Sequence, residues 1–363
     1  MNAPLWYRSE DKHGEERAVL TPAIVAELIG AGHSVTVERS AQRCFDDDAY
    51  ASAGATLADG NSWRDAPSDA VIVGLKELNV DTFDLRHRHI HFAHVYKEQQ
   101  GWQAVLERFK RGGGSLYDLE YLVDDTGRRV AAFGYWAGYA GAAVAVMAWI
   151  GQQQDQTPSV APLSSYSSRD VLLASLTSQL AEPGVVNSGK PTALVIGAKG
   201  RSGKGAVELL HNLGIDVIEW DVDETRDGGP FEQLLAVNIV INCVFIQQPL
   251  PPFLTADMLQ QQRQLSVLCD VSCDPYGDYN PLPIYQQTTS FDQPVARLVD
   301  GPRPLRPLDL IAIDHLPSLL PVESSEDFVL QLRPHLLRMG HLDTGVWQTA
   351  LTTFEQKSGQ LVL

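Results

Sequence analysis

The sequence predicts an α/β protein of two domains, each a parallel sheet flanked by helices on both faces. Three observations carry this. The chain has 363 residues, too many for one ordinary core. Apolar strand-like runs alternate with helical patterns in two successive series, the signature of a covered parallel sheet. In the second series a glycine-rich turn, Gly197-Ala-Lys-Gly-Arg-Ser-Gly-Lys-Gly205, falls between a strand and a helix.

The first series opens with the strand candidate Leu5–Arg8. Thr21-Pro22 reads as an N-cap followed by proline at the first helical position, starting a helix from Ala23 to about Ala31 that Gly32 ends. Ser34–Glu38 alternates as a strand. Val71–Leu75 and Ile90–His94 are compact apolar runs of the kind buried in parallel sheets. Helical patterns lie around Asp46–Ala53 and Gln100–Lys110. Small apolar residues from Gly134 to Gly151 predict a buried helix leaving this domain. Gln152–Tyr166, rich in Gln, Ser and Pro, reads as a loop. A helix follows over Asp170–Leu180, then a Pro/Gly/Ser break at Glu182–Pro191. Five strand candidates form the second sheet: Thr192–Ile196, Asp216–Trp220, Val237–Ile241, Leu265–Cys269 and Leu310–Ile313. The tail from Ser324 is helical, with Ser324 and Asp327 spaced as a capping-box variant.

Composition excludes several function classes. Hydrophobic residues make up 44% and charged ones 20%, as in a soluble globular protein rather than a disordered one. The net charge of −17 repels nucleic acid and anionic membranes. Apolar runs fall short of the roughly 20 residues that span a bilayer. The opening Met-Asn-Ala-Pro-Leu-Trp-Tyr-Arg lacks the basic-then-apolar pattern of a secretory signal, so the expected location is cytoplasmic. Cys269 and Cys273 are four apart with no second pair or nearby His to complete a zinc site, so no metal is expected. Cys44 and Cys243 are equally isolated, and small buried hydrophobes are the simpler account of all four.

Glycines at 197, 200, 203 and 205 let the backbone turn tightly and approach a pyrophosphate, and the helix from about Ser202 presents free amides to it. The spacing is G-x-x-G-x-x-G-x-G rather than G-x-G-x-x-G. Arg201 and Lys204 are the cations at hand for the phosphates. Asp221 ends the second strand, 24 residues after Gly197, where an acidic residue accepts hydrogen bonds from the adenosine ribose and repels a 2′-phosphate. That favours NAD over NADP, although Arg226 nearby points the other way. The alternative is a glycine-rich turn in a Rossmann-like domain that binds no nucleotide.

Candidate substrate residues lie upstream, at strand ends or beside turns. Lys76 follows the run Val71–Leu75, and His94, Lys97 and Gln99 follow another buried strand. Arg17 lies in Glu15–Pro22, Glu120 closes Leu116–Glu120, and Arg128-Arg129 precede Val130–Phe133. Singly, each is explained as a solvated surface group or, for Glu120, an arginine's partner. Together they gather cations and a histidine at strand ends of an acidic protein, as a polycarboxylate substrate requires.

These residues also carry a family resemblance. Arg17-Ala-Val-Leu-Thr-Pro22 and Gly74-Leu-Lys-Glu77 look like the opening motifs of the alanine dehydrogenase and transhydrogenase group. More specifically, the chain resembles the NAD-dependent, L-lysine-forming saccharopine dehydrogenases. The likeness rests on Ile72–Glu77, Phe92–Lys97, Gly101-Trp102, Leu116–Glu120, Gly127–Gly134, Gly197–Gly205, Gly228–Phe231, Ile241–Cys243 and Ile313–Pro321, in one order over nearly the whole chain.

The resemblance implies oxidation of saccharopine at its secondary amine, then hydrolysis to lysine and 2-oxoglutarate, by a cytoplasmic monomer of lysine metabolism with small-molecule partners only. It implies Lys76 as base for the amine proton and His94 as acid–base for imine hydrolysis. Arg17, Gln99, Arg128 and Phe133 match saccharopine-binding positions, and Glu120 an acidic residue that tunes the bases. Gly197, Gly200, Arg201, Ser202, Gly203, Asp221, Thr225, Cys243, Phe245, Val271, Ile313, Asp314, His315 and Leu316 match positions around NAD. Further implications are a return of the tail to the first domain, residues 1–133 with 323–363 against 134–322, and an active site in the interdomain cleft. The chemistry agrees: a lysine acts as a base when desolvation or adjacent cations favour its neutral form, and histidine titrates near working pH.

There are departures. Ser202 stands where the fungal enzyme has Cys, with Cys243 matching its partner, so no regulatory disulfide is expected. Phe245 replaces a tyrosine, and Gly-Gln-Leu-Val-Leu363 is no recognisable peroxisomal ending. The competing expectations are another amino-acid or opine dehydrogenase of alanine-dehydrogenase type, and a non-enzymatic NAD-binding protein.

Overall fold

The computed structural model describes residues 2–79, 81–96, 101–300 and 306–360. The chain divides into two compact units, Met1–Ala132 with Pro321–Leu363, and Phe133–Leu320.

The first unit runs β1 (Leu5–Tyr7), α1 (Pro22–Gly30), β2 (Val35–Glu38), α2 (Asp47–Ser52), β3 (Thr56–Ala58), β4 (Val71–Val73), β5 (Arg88–His91), α3 (Trp102–Gly112) and β6 (Ser115–Asp118). Its sheet has the order β3-β2-β1-β4-β5-β6, with every neighbouring pair parallel. The order reverses between β1 and β4, so the carboxyl ends of these two strands flank the crevice where sheets of this kind seat ligands. β4 is Val-Ile-Val and buried throughout, as a strand covered on both faces must be. Thr21 caps α1 by accepting from the Ile24 amide at 3.4 Å, with Pro22 at its first position. Gly113, at φ 72, ends α3 in the left-handed conformation that glycine adopts without strain.

The second unit runs α4 (Gly134–Gln153), α5 (Arg169–Leu180), α6 (Pro183–Val186), β7 (Thr192–Ile196), α7 (Arg201–Asn212), β8 (Asp216–Trp220), α8 (Val222–Thr225), β9 (Ile239–Asn242), β10 (Val267–Asp270), β11 (Ala296–Val299) and β12 (Leu308–Ile311). Its sheet order is β11-β12-β10-β9-β7-β8, with β11 antiparallel and the rest parallel. The reversal lies between β7 and β9. Every residue of α4 from Gly138 to Gln152 is buried, so this apolar stretch is a core helix. Among the described residues no helix is long and apolar enough to cross a membrane.

α4 and α7 cross at backbone contact. A Cβ on Gly138 would lie 1.7 Å from the Ser202 carbonyl oxygen, and one on Gly205 would lie 2.0 Å from that of Tyr135. Only glycine permits this approach.

The chain ends with α9 (Pro321–Leu336) and α10 (Gly345–Gly359), both within the first unit. Arg333 on α9 pairs with Glu27 on α1 at 2.7 Å, and Ser325 accepts from the Ala18 amide at 2.8 Å.

Several expectations are corrected. The second sheet has six strands rather than five, because β11 adds an antiparallel edge. β3 and β6 were not expected; both are short, of three and four residues, and carry little periodicity. β5 starts at Arg88 and stops at His91, so His94 follows the strand instead of closing it. β9, β10 and β12 are offset from the expected runs by one or two residues. α9 starts at Pro321, three residues before Ser324, because proline pre-sets the first helical turn. Ser324 is thus inside the helix, and the capping box with Asp327 is not the cap.

Candidate active site

The carboxyl edge of the first sheet gathers charged groups around its reversal point. Lys76 lies three residues past the end of β4, and His94 three past the end of β5. His94 has φ 55, an uncommon conformation for a residue with a side chain. Such outliers concentrate at functional sites, where surrounding structure enforces them. Glu77 feels the charge of both. Burial pushes its carboxyl up, but its own amide and the charges of Lys12, Lys76 and His94 bring it below the usual carboxylate range. Lys12 approaches it at 3.7 Å.

Arg17 is buried and held by Glu15, which accepts from its Nε at 2.7 Å and its second guanidinium nitrogen at 2.6 Å. Burial raises the Glu15 carboxyl, and Arg17 followed by Lys76 outweighs it, so that the group lies below its ordinary range. Glu15 thus pairs directly with Arg17 and feels the charge of Lys76. His91, fully buried at the end of β5, is held well below its ordinary pKa by desolvation, then by the charges of Arg8 and His94.

A second corner of this site is built on β6. Asp118 is fully buried, and its Oδ1 accepts from the Glu120 amide at 2.9 Å. The amide of Ala93, the residue before His94, also acts to lower its pKa, so the carboxyl lies beside the His94 segment as well as Glu120. Burial pushes Asp118 up to about 7, the Glu120 charge adds to the rise, and the two amides oppose it. Glu120 pairs with Arg129 at 3.1 Å. Arg128 is exposed on a tight hairpin closed by Asp124, whose Oδ1 accepts from the Thr126 and Arg128 amides at 2.9 and 3.0 Å. Gln99 and Lys97 lie outside the described residues. Phe133 is not in the first unit; it opens the second, as the N-cap residue of α4.

The second unit has a candidate site of its own, the glycine turn between β7 and α7. Gly197 has φ 81, and a Cβ there would lie 2.6 Å from Val244 Cγ1. A Cβ on Gly203 would lie 2.0 Å from the Gly197 carbonyl oxygen, so the turn closes on the helix too tightly for any side chain. Gly200 is the N-cap residue of α7, and Arg201 and Ser202 form its first turn, which contains no acidic residue. This cradle, a helix N-terminus approached by bare backbone, fits the pyrophosphate of a dinucleotide.

Asp221 Oδ2 accepts from the Lys199 amide at 2.9 Å, fastening the turn to the end of β8, while its Oδ1 caps α8 at Val222. The Thr225 hydroxyl donates to the Asp221 carbonyl at 2.9 Å. Arg226, the cation that argued for NADP, pairs with Asp223.

The remaining positions expected around the cofactor follow the carboxyl ends of other parallel strands. Cys243 follows β9, its amide donating to Ile196 at 2.9 Å; burial pushes its thiol up, which keeps it protonated. Val271 follows β10 and donates to Asn242 at 2.9 Å. Behind both, Asp270 accepts from Asn242 at 2.9 Å, Ser272 at 2.6 Å and Tyr285 at 2.6 Å. Phe245 is 60% exposed. Ile313 to Leu316 follow β12, with the His315 ring 4.7 Å from that of Phe291.

Sequence reasoning missed Arg8, Glu10, Glu15, Glu77, His91 and Asp118. The rule that singled out Lys76, a charged residue just past a buried strand, applies equally to Arg8 after β1. Glu15 and Glu77 are near neighbours of residues already named. Asp118 has no sequence signal beyond its place in Leu116–Glu120.

The comparisons with known proteins agree on one family. The model described as alanine dehydrogenase/PNT, N-terminal domain, matches residues 6–140. A curated protein of Emericella nidulans named saccharopine dehydrogenase [NAD(+), L-lysine-forming] is 49% identical, over 98% of this chain and 98% of its own. Those of the same name from Neurospora crassa and Schizosaccharomyces pombe are 47% and 45% identical, each over 98% of this chain and 97% and 98% of theirs. Among solved structures, an L-alanine dehydrogenase superposes with a TM-score of 0.67 at 18% identity, covering 99% of this chain and 100% of its own. A transhydrogenase from Sinorhizobium meliloti does so at 0.65 and 16%, covering 95% and 97%. At such identity these two speak for the fold alone. Near-full-length identity approaching one half carries more: the chain belongs to the family of the NAD-dependent, L-lysine-forming saccharopine dehydrogenases.

Proposed function

We propose that the chain oxidises saccharopine with NAD and releases L-lysine and 2-oxoglutarate, reversibly; its relatives' names state NAD(+) and L-lysine formation of them. The observation that carries this is that Lys76 and His94 stand three residues past the ends of the neighbouring strands β4 and β5, with both charges acting on Glu77. Both acid–base groups required by the reaction thus stand at the edge of one sheet.

Bound at the Gly197–Gly205 turn, NAD supplies the hydride acceptor. Lys76 takes the proton of the substrate's secondary amine as the adjacent carbon loses hydride, which leaves an imine. His94 takes a proton from the water that attacks the imine carbon. It returns that proton to the nitrogen, giving a carbinolamine, then moves the carbinolamine hydroxyl proton to the nitrogen as the carbon–nitrogen bond breaks, freeing lysine and forming the keto group of 2-oxoglutarate. Arg17, its plane fixed by Glu15, together with Arg128 and Gln99, binds carboxylates of saccharopine, and Phe133 contributes an apolar contact. Glu120 moderates the charge around the bases. The unit Met1–Ala132 with Pro321–Leu363 is the substrate domain and the unit Phe133–Leu320 the cofactor domain. Asp221 accepts from the adenosine ribose and selects NAD, and the remaining cofactor contacts come from the strand ends named above. The enzyme works as a cytoplasmic monomer on small molecules, and sedimentation measures that state.

A substrate panel tests the assignment: NADH formation with saccharopine against alanine and other opines, and NAD against NADP. Turnover of alanine without turnover of saccharopine would refute it.

A further inference from the structure

Lys76 lies beyond the last ladder pair of β4, so its backbone polar groups need partners from elsewhere. The end of β1 supplies them. Glu10 Oε1 accepts from the Leu75 amide at 2.7 Å and Oε2 from the Lys76 amide at 2.9 Å. The Arg8 guanidinium donates to the Lys76 carbonyl, and its other terminal nitrogen lies 3.4 Å from Glu10 Oε2. Both polar groups of the Lys76 backbone are therefore gripped by two side chains that are 1% and 6% exposed.

The guanidinium lies flat against Gly74. A Cβ there would sit 2.4 Å from Arg8 Nε and 2.6 Å from Cζ, so the glycine of Gly74-Leu-Lys-Glu77 is required by Arg8. Two successive amides facing one anion form a nest. At the reversal point of an open sheet, a nest ordinarily receives a ligand's phosphate or carboxylate; here the protein's own Glu10 fills it. Burial raises the Glu10 carboxyl above its ordinary range, while the Arg8 charge and the Leu75 and Lys76 amides, each facing one of its oxygens, favour the carboxylate. A buried ion pair is a poor source of stability, since well-packed apolar residues often do better. Its grip on Lys76 accounts for this pair more directly.

We propose that Arg8 and Glu10 are positioning residues. They hold the backbone from which Lys76 projects and occupy the anion nest beside it, so that Lys76 meets the substrate amine at a fixed place. This rests on the assignment of Lys76 as the base.

The test compares Glu10→Gln, Arg8→Met and Lys76→Met in the full chain, measuring kcat, KM for saccharopine, NADH affinity, the pH profile of kcat/KM and the melting temperature. Glu10→Gln is isosteric and sets an amide NH2 against a backbone N–H, releasing one of the two grips. We expect kcat to fall about 10- to 100-fold, the scale of a misplaced catalytic group. KM stays within about twofold, and NADH affinity is unchanged. The acid limb of the profile moves to lower pH in Glu10→Gln, where an anion beside Lys76 is lost, and to higher pH in Arg8→Met, where a cation is lost. General loosening would not produce opposite displacements. Wild-type kcat in Glu10→Gln beside an inactive Lys76→Met overturns the positioning role alone. So does a loss of activity that only tracks the folded fraction, with an unmoved profile. Turnover by Lys76→Met removes the base assignment, and the proposal with it.

Discussion

Replacing Gly138 by alanine probes the link between the core of the second unit and its cofactor turn. The added Cβ would lie 1.7 Å from the carbonyl oxygen of Ser202 and 2.6 Å from its carbonyl carbon. Carbon and oxygen in contact settle at roughly 3.3 Å, so α4 and α7 must part by about 1.5 Å. Backbone stands on the receiving side, and no rotamer change relieves it. Overpacking costs roughly 1–3 kcal/mol, and a clash between two helix backbones belongs near 3. Ser202 is in the first turn of α7, beside Gly200 and Gly203, so the displacement reaches the amides proposed to face the pyrophosphate. If the whole of that ~3 kcal/mol appears in binding, the NADH dissociation constant rises about 150-fold. Fluorescence titration measures the affinity, and thermal melting the share that falls on stability. Gly184→Ala is the control: a Cβ there meets nothing within 4 Å, so its effect is within about 0.5 kcal/mol. Wild-type affinity and melting in Gly138→Ala would refute the argument.

Three further variants test other parts. Asp118→Asn should flatten the pH dependence of the melting temperature. An acid raised from 3.8 to about 7 by burial keeps in the folded state a proton that the unfolded chain has lost. Wild-type stability therefore declines as pH climbs between those values, by at most roughly 4 kcal/mol. Parallel melting curves for the two proteins between pH 4 and pH 8 would count against a protonated Asp118. Asp221→Ala removes the acceptor of the Lys199 amide and the cap of α8. NADH affinity should fall about tenfold, on the scale of a lost cap and charged hydrogen bond, and discrimination against NADPH should weaken. An unchanged NADH-to-NADPH preference would remove Asp221 from that role. Arg17→Ala strands Glu15 in a buried site and should cost roughly 3–5 kcal/mol in stability, part of it recovered in the double variant with Glu15→Ala. A single variant that melts no lower than the double one would show the pair uncoupled.

Local pattern in the chain settles the two α/β series, the glycine turn and the strand-end positions of Lys76 and His94. Each rests on local physics: apolar periodicity, glycine where a side chain cannot fit, and the emergence of a charged residue where a buried strand stops. Thr192–Ile196 and Asp216–Trp220 are legible to the residue because sharp polar or glycine breaks bound them. β3, β6 and β11 were not, since strands of three or four residues hold too few side chains to show a period and owe their form to neighbouring strands. The tertiary structure alone decided which charges meet. Arg8 and Glu10 stand 66 to 68 residues from the Lys76 backbone they grip. Asp118 reaches Ala93 only because β6 lies beside β5. Burial then sets what these groups do, raising Asp118 towards neutrality and letting Arg17 and Lys76 hold Glu15 ionised. Local pattern names the residues that can carry chemistry; strand order and desolvation choose their partners, and no window of sequence contains either.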